Sequence, residues 1–483
     1  MICVRWSELG LEVRGESGVG AGRISGEPIT GEAHELPDPS SGASIATVGW
    51  AGPEHVDAAV AAAREAQADW SAVDLRERAR LLRVIADELR ASAGPLGDLI
   101  CAESGKRLEE AVAEVHFSAR YFDWFADACT RLDSGYYETP QRRFVVDRKP
   151  AGVVAAVSPW NFPLSIPARK LAPALAAGCG VVQKPSELTP LSTLALTAIC
   201  ERVLPPGLVS VLVGDGAALT PAIIEHPDVR VVSFTGSTSV GRLVAQRAAS
   251  SFTRTVLELG GRAPFIVCED ADADVAVEAM LIAKLRNNGE SCLAANNIFV
   301  HEDRYPDVVE RLRGRVADIS IGDPRDATVG LGPLIRGREV ERVDGLVSGA
   351  RAAGDDVSVT DGVPRSGWFS PIAIVESAAD SDAWSTEVFG PVFSIRRYTD
   401  EAAVVREVNS WRTGLGGYVM SADTEHQFAL ARSLEVGIVG INNGAPNTPE
   451  VPFGGRGDSG IGREGGLSGL LEFTAEQTLS FAR

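Results

Sequence analysis

A chain of 483 residues is longer than one hydrophobic core ordinarily serves, so two or three lobes are expected. Its 45% hydrophobic and 23% charged content is that of a globular protein in water. An excess of 65 acidic over 46 basic residues, net charge -19, argues against nucleic acid or an anionic membrane surface as partner.

The seven cysteines are irregularly spaced, with no CxxC and no metal-like Cys/His cluster, which favours a reducing cytoplasm over a disulfide framework or a metal site. No apolar run reaches the roughly 18 residues that a bilayer span requires. The first residues, Met1 to Thr30, are Gly-rich and mixed in charge and lack the order of a signal peptide. They read as a poorly ordered tail leading into an edge strand.

From Pro53 onward, apolar residues recur at spacings of three and four, predicting amphipathic helices over 55–70, 75–92 and 108–132. Arg142 to Lys149 alternates and suits a strand able to pair outside its own lobe. Then strands at 153–157, 181–184, 209–214 and 229–236 alternate with helices near 168–177, 191–203, 217–226 and 240–249. Such alternation implies a parallel sheet of the dinucleotide-binding type, with ligands at the carboxyl ends of its strands. A second α/β series runs from Pro264 to about Val439, with strands at 265–268, 296–301, 369–376, 393–398, 415–420 and 436–442. Phe473 to Phe481 reads as a further edge strand, and the active site is expected in the crevice between the lobes.

Five cysteines (Cys101, Cys129, Cys179, Cys200 and Cys268) lie in apolar patterns and read as small core residues. Cys292 differs. It follows an apolar helical run, Val275 to Leu285, in the stretch Arg286-Asn287-Asn288-Gly289-Glu290-Ser291-Cys292, whose small and flexible residues let a substrate carbon approach a thiol. Gly236 to Gly241 follows a strand and opens a helix, so it is either a tight turn or a place for a phosphate. It is not a P-loop, because Arg242-Leu243 stands where Lys-Ser/Thr is required. The formal G-x-G-x-x-G at Gly460 to Gly465 comes too late in the chain to open a βαβ unit.

Six motifs occur in order: Ser158-Pro159-Trp160-Asn161-Phe162-Pro163, Phe234-Thr235-Gly236-Ser237, Glu258-Leu259-Gly260-Gly261, Gly289 to Cys292, Glu387-Val388-Phe389-Gly390-Pro391, and Pro452-Phe453-Gly454-Gly455. Together they resemble the NAD(P)-dependent aldehyde dehydrogenase superfamily from about Pro37 to Phe481, most nearly its succinate-semialdehyde dehydrogenases. The resemblance implies an α/β fold: a Rossmann-type parallel-sheet NAD-binding domain (37–135 and 151–259), an α/β catalytic domain (260–456) and a small β oligomerisation flap (136–150 and 468–483), after an N-terminal tail and edge segment (1–36). It implies a homodimer or homotetramer paired through its edge strands.

The same resemblance assigns roles. Cys292 attacks the aldehyde carbon, and Asn161 and the Cys292 backbone N–H hold the oxyanion. Glu258 activates water and is also a candidate base for the thiol, with Lys170 and Glu464 as a proton-relay pair behind it. NAD, with NADP as the alternative, would meet Trp160, Lys184, Ser186, Glu187, Gly236, Ser237, Leu259, Glu387 and Phe389; a carboxylate at Glu187 repels a 2′-phosphate and favours NAD. Arg169 and Arg286 match carboxylate-binding arginines, with Asn447 or Thr448 near a substrate-binding serine and Phe162 and Phe453 beside them. The expected reaction is oxidation of a short carboxylate-bearing semialdehyde such as succinate semialdehyde. The alternatives are another small aldehyde, a phosphorylating or CoA-acylating variant (opposed by Glu258), and a non-catalytic family member.

Three departures from the family pattern stand out. Glu290 replaces a Gln and is expected to raise the thiol pKa if unpaired. Arg262 and Gly457 each replace a Lys. Ala294 leaves no second thiol beside the nucleophile for a disulfide switch.

Overall fold

The computed structural model describes residues 9, 11, 13–14, 18–132, 134–377 and 380–482. The first α/β series forms five parallel strands in the spatial order Arg254–Glu258, Val229–Thr235, Val153–Val157, Gly180–Lys184, Val209–Leu212. The chain starts at the central strand and winds outward in both directions, which is the dinucleotide-binding order. Val153–Val157 and Gly180–Lys184 are buried at every position, as strands covered by helices on both faces must be.

The sheet is wider than expected. Gly22–Ile24 and Glu27–Ile29 extend one edge as an antiparallel hairpin, so this part of the N-terminal tail is built into the fold. Its turn, Ser25-Gly26, has φ of 53° and 84°, the paired positive angles that match strand twist. Gly460–Ile461 covers the other edge antiparallel to Arg254–Glu258, setting Gly460 opposite Glu258. The decoy glycine motif is therefore a sheet cover that delivers Glu464 to the carboxyl ends of the strands.

The helices Val56–Ala72, Leu75–Ala91 and Leu108–Cys129 agree with the periodicity. Between the last two lies another, Ala93–Ser104, which the sequence reading passed over. Its Gly94-Pro95 reads as a break but falls in the first helical turn, where a missing N–H costs nothing.

The second sheet has seven strands in the order Asp356–Val359, Ala373–Glu376, Val392–Tyr398, Ala295–His301, Ala263–Val267, Gly416–Met420, Ile438–Ile441, parallel except at the first pair. Its strand expected from Phe369 begins only at Ala373. Thr474–Ala482 pairs antiparallel along nine residues of Arg142–Pro150, with Gly135–Glu138 on the far side. The outer strand is exposed from Ala475 to Ala482. No helix among the described residues is long and apolar enough to cross a membrane.

Candidate active site

Three loops bring the reacting groups together. Asn161 follows the strand Val153–Val157, Glu258 ends Arg254–Glu258, and Cys292 lies between the helix Ala273–Leu285 and the strand Ala295–His301. The Cys292 loop is unusual: Asn287 and Asn288 both adopt left-handed backbone, φ 53° and 58°, and Gly289 follows at 83°. Gly289 is required there, since a Cβ would stand 2.4 Å from the Gly390 carbonyl carbon. The two asparagines are pinned by their own amides. Asn287 Nδ2 donates to the Glu290 carbonyl at 3.0 Å, and Asn288 Nδ2 donates to Pro333 O at 2.8 Å.

Cys292 is half-buried and opens on a cavity of about 560 Å³, counting its mouth, lined also by Phe162, Arg169, Arg286, Asn447 and Phe453. Burial pushes its thiol up to about 12, against the pull of the Arg169 charge. Such a thiol needs a base. Glu258 is buried, both carboxyl oxygens lack a hydrogen-bond partner among the described residues, and Oε1 lies against Gly454, where a Cβ would come within 2.7 Å. Burial first, then repulsion from Glu464, holds its pKa well above the usual carboxylate range. Glu464 shifts the other way: Arg169 Nε and Lys170 Nζ, 2.5 and 2.6 Å from its two oxygens, offset its burial and hold it ionised. Two interacting carboxyls with opposed tendencies are the pattern that acid–base chemistry uses.

Asn161 is buried, and its Nδ2 donates to the Glu290 carbonyl at 3.0 Å. Glu290 itself does not act as expected. Its carboxyl is buried, Oε1 accepts the Ile335 N–H at 3.1 Å, and burial holds its pKa well above the usual carboxylate range, which disfavours a charge beside the thiol. The other departures are also accommodated. Arg262 donates to Trp384 O at 2.8 Å, and Gly457 has φ 57° with Arg412 O within 2.3 Å of where a Cβ would be.

The candidate substrate residues separate. Arg169 is only 5% exposed, stacks 4.3 Å from the centre of the Phe453 ring, and has its charge committed to Glu464. Its charge is thus paired within the protein, while its side chain still lines the cavity. Arg286 has no carboxylate within ion-pair distance among the described residues; it touches Asn447 Oδ1 at 3.4 Å and lies over Phe162 at 5.3 Å. Thr448 does not join the cavity: its Oγ1 accepts from the exposed Arg120 at 2.9 Å and donates to Glu450. Phe117 and Tyr121 line the cavity and were missed, because their spacing of four on Leu108–Cys129 reads as an ordinary core stripe. Tyr418, also missed, donates to Leu293 O at 2.7 Å beside the nucleophile.

The expected cofactor residues lie along the first sheet. Ser237 caps the helix Thr238–Ser250, with Oγ accepting from Val240 N at 3.4 Å, and a Cβ on Gly241 would strike Leu259 at 2.2 Å. Lys184 Nζ reaches Glu187 at 3.2 Å, and Ser186 Oγ accepts Leu188 N at 3.2 Å. Trp160 and Phe389 meet edge to face at 5.6 Å, and Phe389 holds φ 46°. Glu387 is half-buried, its Oε1 enclosed and unpartnered among the described residues, and loss of solvation raises it to about 7. The unpartnered Glu387 Oε1, a capped helix N-terminus beside Gly236 and a part-exposed Glu187 fit a dinucleotide with free ribose hydroxyls.

Comparison with known proteins agrees with this arrangement. The aldehyde dehydrogenase family model matches residues 28–479. Glutarate-semialdehyde dehydrogenase of Pseudomonas aeruginosa is 37% identical over 449 residues, 92% of this chain and 93% of that protein. Succinate-semialdehyde dehydrogenase [NADP(+)] of Escherichia coli is 37% identical over 458 residues, 93% and 95%. The crystal structure of succinate-semialdehyde dehydrogenase from Burkholderia pseudomallei superposes with TM-score 0.93 at 38% identity, covering 96% of this chain and 98% of that one. The chain belongs to the aldehyde dehydrogenase family, NAD(P)-dependent oxidoreductases of small aldehydes.

Proposed function

We propose that this enzyme oxidises a short semialdehyde to a dicarboxylate, with the aldehyde at Cys292 and the distal carboxylate at Arg286. The observation that carries this reading is Arg286 itself: a guanidinium on the cavity wall with no carboxylate partner among the described residues. Its planar fork suits a carboxylate, and the Phe162 face beneath it restricts its orientation.

Glu258 takes the Cys292 proton, because a thiol pushed up to about 12 supplies little thiolate unaided. The thiolate attacks the carbonyl carbon. Asn161 Nδ2 turns from the Glu290 carbonyl to the oxyanion, a donor worth roughly 3 kcal/mol in the transition state. When bound, NAD(P) supplies the hydride acceptor. Glu258 then deprotonates the water that cleaves the Cys292 thioester, with Lys170 and Glu464 as the polar path behind it.

Glu187 favours NAD over NADP, since its carboxylate would accept from ribose hydroxyls and repel a 2′-phosphate. We further assign residues 37–135 and 151–259 to the NAD-binding domain, 260–456 to the catalytic domain, and 136–150 with 468–483 to an oligomerisation flap of a cytoplasmic homo-oligomer. The test of substrate is kcat/KM for succinate and glutarate semialdehydes against butanal. The acids should win in the wild type, and Arg286→Leu should lower their kcat/KM by roughly 30-fold or more while sparing butanal. Equal losses on all three aldehydes would refute the carboxylate contact.

A further inference from the structure

The helix Leu108–Cys129 sends two carboxylates, one turn apart, to the two loops that carry the reacting groups. Glu114 Oε1 accepts the backbone N–H of Leu164 and of Ser165, both at 3.0 Å, where the helix Ser165–Ala177 begins. Its Oε2 pairs with Lys106 Nζ. Lys106 is buried, donates to the Asn161 carbonyl at 3.2 Å, and lies 4.2 Å from the centre of the Phe162 ring. Glu110 Oε2 accepts the Asn287 N–H at 2.8 Å, while Arg107 Nη2 holds Oε1 at 2.6 Å. Just before the helix, Gly105 O accepts Asn288 Nδ2 at 3.1 Å.

We propose that residues 105–114 form a positioning clamp that sets the separation of the Asn161 amide from Cys292, Lys106–Glu114 holding the first loop and Glu110 with Gly105 the second. The proposal rests on the roles given above to Cys292 and Asn161. Neither Glu110 nor Lys106 is a catalytic residue in this reading; each acts through the backbone it holds. Two features make the clamp necessary. Left-handed backbone at two successive asparagines persists only when its surroundings over-determine it. The two loops also meet at one atom, since Asn161 Nδ2 and Asn287 Nδ2 both donate to Glu290 O at 3.0 Å. A shift of either loop therefore moves the oxyanion donor relative to the thiol. A helix one turn long between its two grips is a stiffer spacer than either loop alone.

Glu110 offers the cleaner perturbation. Its side chain is 22% exposed, so truncation opens no cavity in the hydrophobic core. Rapid mixing of the full-length enzyme with NAD and succinate semialdehyde reads the first-turnover burst of NADH. Glu110→Ala should slow the burst roughly 10- to 100-fold, the cost of misplacing reacting groups by a fraction of an ångström to an ångström, with aldehyde KM changed less than about threefold. Glu110→Gln keeps an acceptor for Asn287 N–H and should return the burst to within about threefold of wild type. In an Asn161→Ala background, Glu110→Ala should cost less than about threefold, because the donor against which it sets the Cys292 loop is gone. A wild-type burst in Glu110→Ala, with Asn161→Ala slow, would overturn the clamp alone. Equal losses from Glu110→Ala with and without Asn161 would reduce Glu110 to general stability and also overturn it. A wild-type burst in Asn161→Ala would overturn the clamp and the oxyanion assignment together.

Discussion

Replacing Glu464 by Gln separates an electrostatic role from a packing one, because the amide keeps the shape and loses the charge. Glu464 is buried between Lys170 Nζ at 2.6 Å, Arg169 Nε at 2.5 Å and Ser233 Oγ at 3.1 Å. Removing one partner of a buried ion pair ordinarily costs roughly 3–5 kcal/mol, and here two cations are left. Gln still accepts from Lys170 and Ser233, which places the expected loss near the lower end, about 3 kcal/mol. Urea unfolding followed by tryptophan fluorescence reads that loss. The same substitution bears on Glu258, whose pKa is raised by burial and then by Glu464, while Arg169 and Lys170 lower it. Loss of the Glu464 charge lowers it. Burial already depresses Lys170, and should Lys170 shed its proton in the variant, the repulsion removed from Glu258 still exceeds the attraction lost. A general base works only when deprotonated, so the acid limb of the kcat profile, measured where deacylation limits, should move to lower pH. An unmoved or raised limb would refute the assignment of Glu464 as the group that tunes the base. A stability loss below about 1 kcal/mol would show that no ion pair is held there.

Glu258→Gln should slow the first-turnover burst of NADH and leave little steady-state turnover, because the Cys292 thiol and the deacylating water both lose their base; normal steady-state turnover would remove Glu258 from the mechanism. Glu290→Gln should leave kcat within about threefold and stabilise the fold increasingly as pH rises. The sign follows from its raised pKa: wild-type stability is full below the unfolded-state value and is lost as pH climbs through the folded one, a loss that the amide escapes. A stability difference that is flat with pH would show that Glu290 ionises freely. The exposed outer strand Thr474–Ala482 predicts a dimer or larger assembly in sedimentation at micromolar concentration, and deletion of its last residues should yield monomer; a wild-type monomer would refute the flap's role.

The alternating α/β series was legible because buried parallel strands are continuous apolar runs and their helices keep a 3.6-residue period. What escaped was structure whose signal is not periodic. Ser25-Gly26 turns a hairpin with two positive φ angles, yet in a glycine-rich tail it reads as disorder. Gly94-Pro95 breaks the pattern on paper and not in the first turn of a helix. The reacting residues were legible through motifs, but motifs name residues without saying which charges are already spent. Arg169 and Arg286 look alike in sequence. The fold closes Gly460–Ile461 against the Glu258 strand, brings Glu464 beneath Arg169, and so leaves only Arg286 in the cavity wall free of a carboxylate among the described residues. Glu290 shows the converse: a carboxyl expected to hinder the thiol is turned to the Ile335 N–H, and burial disfavours its ionisation. In both cases the chemistry depends on a contact between segments dozens to hundreds of residues apart, which local sequence does not encode.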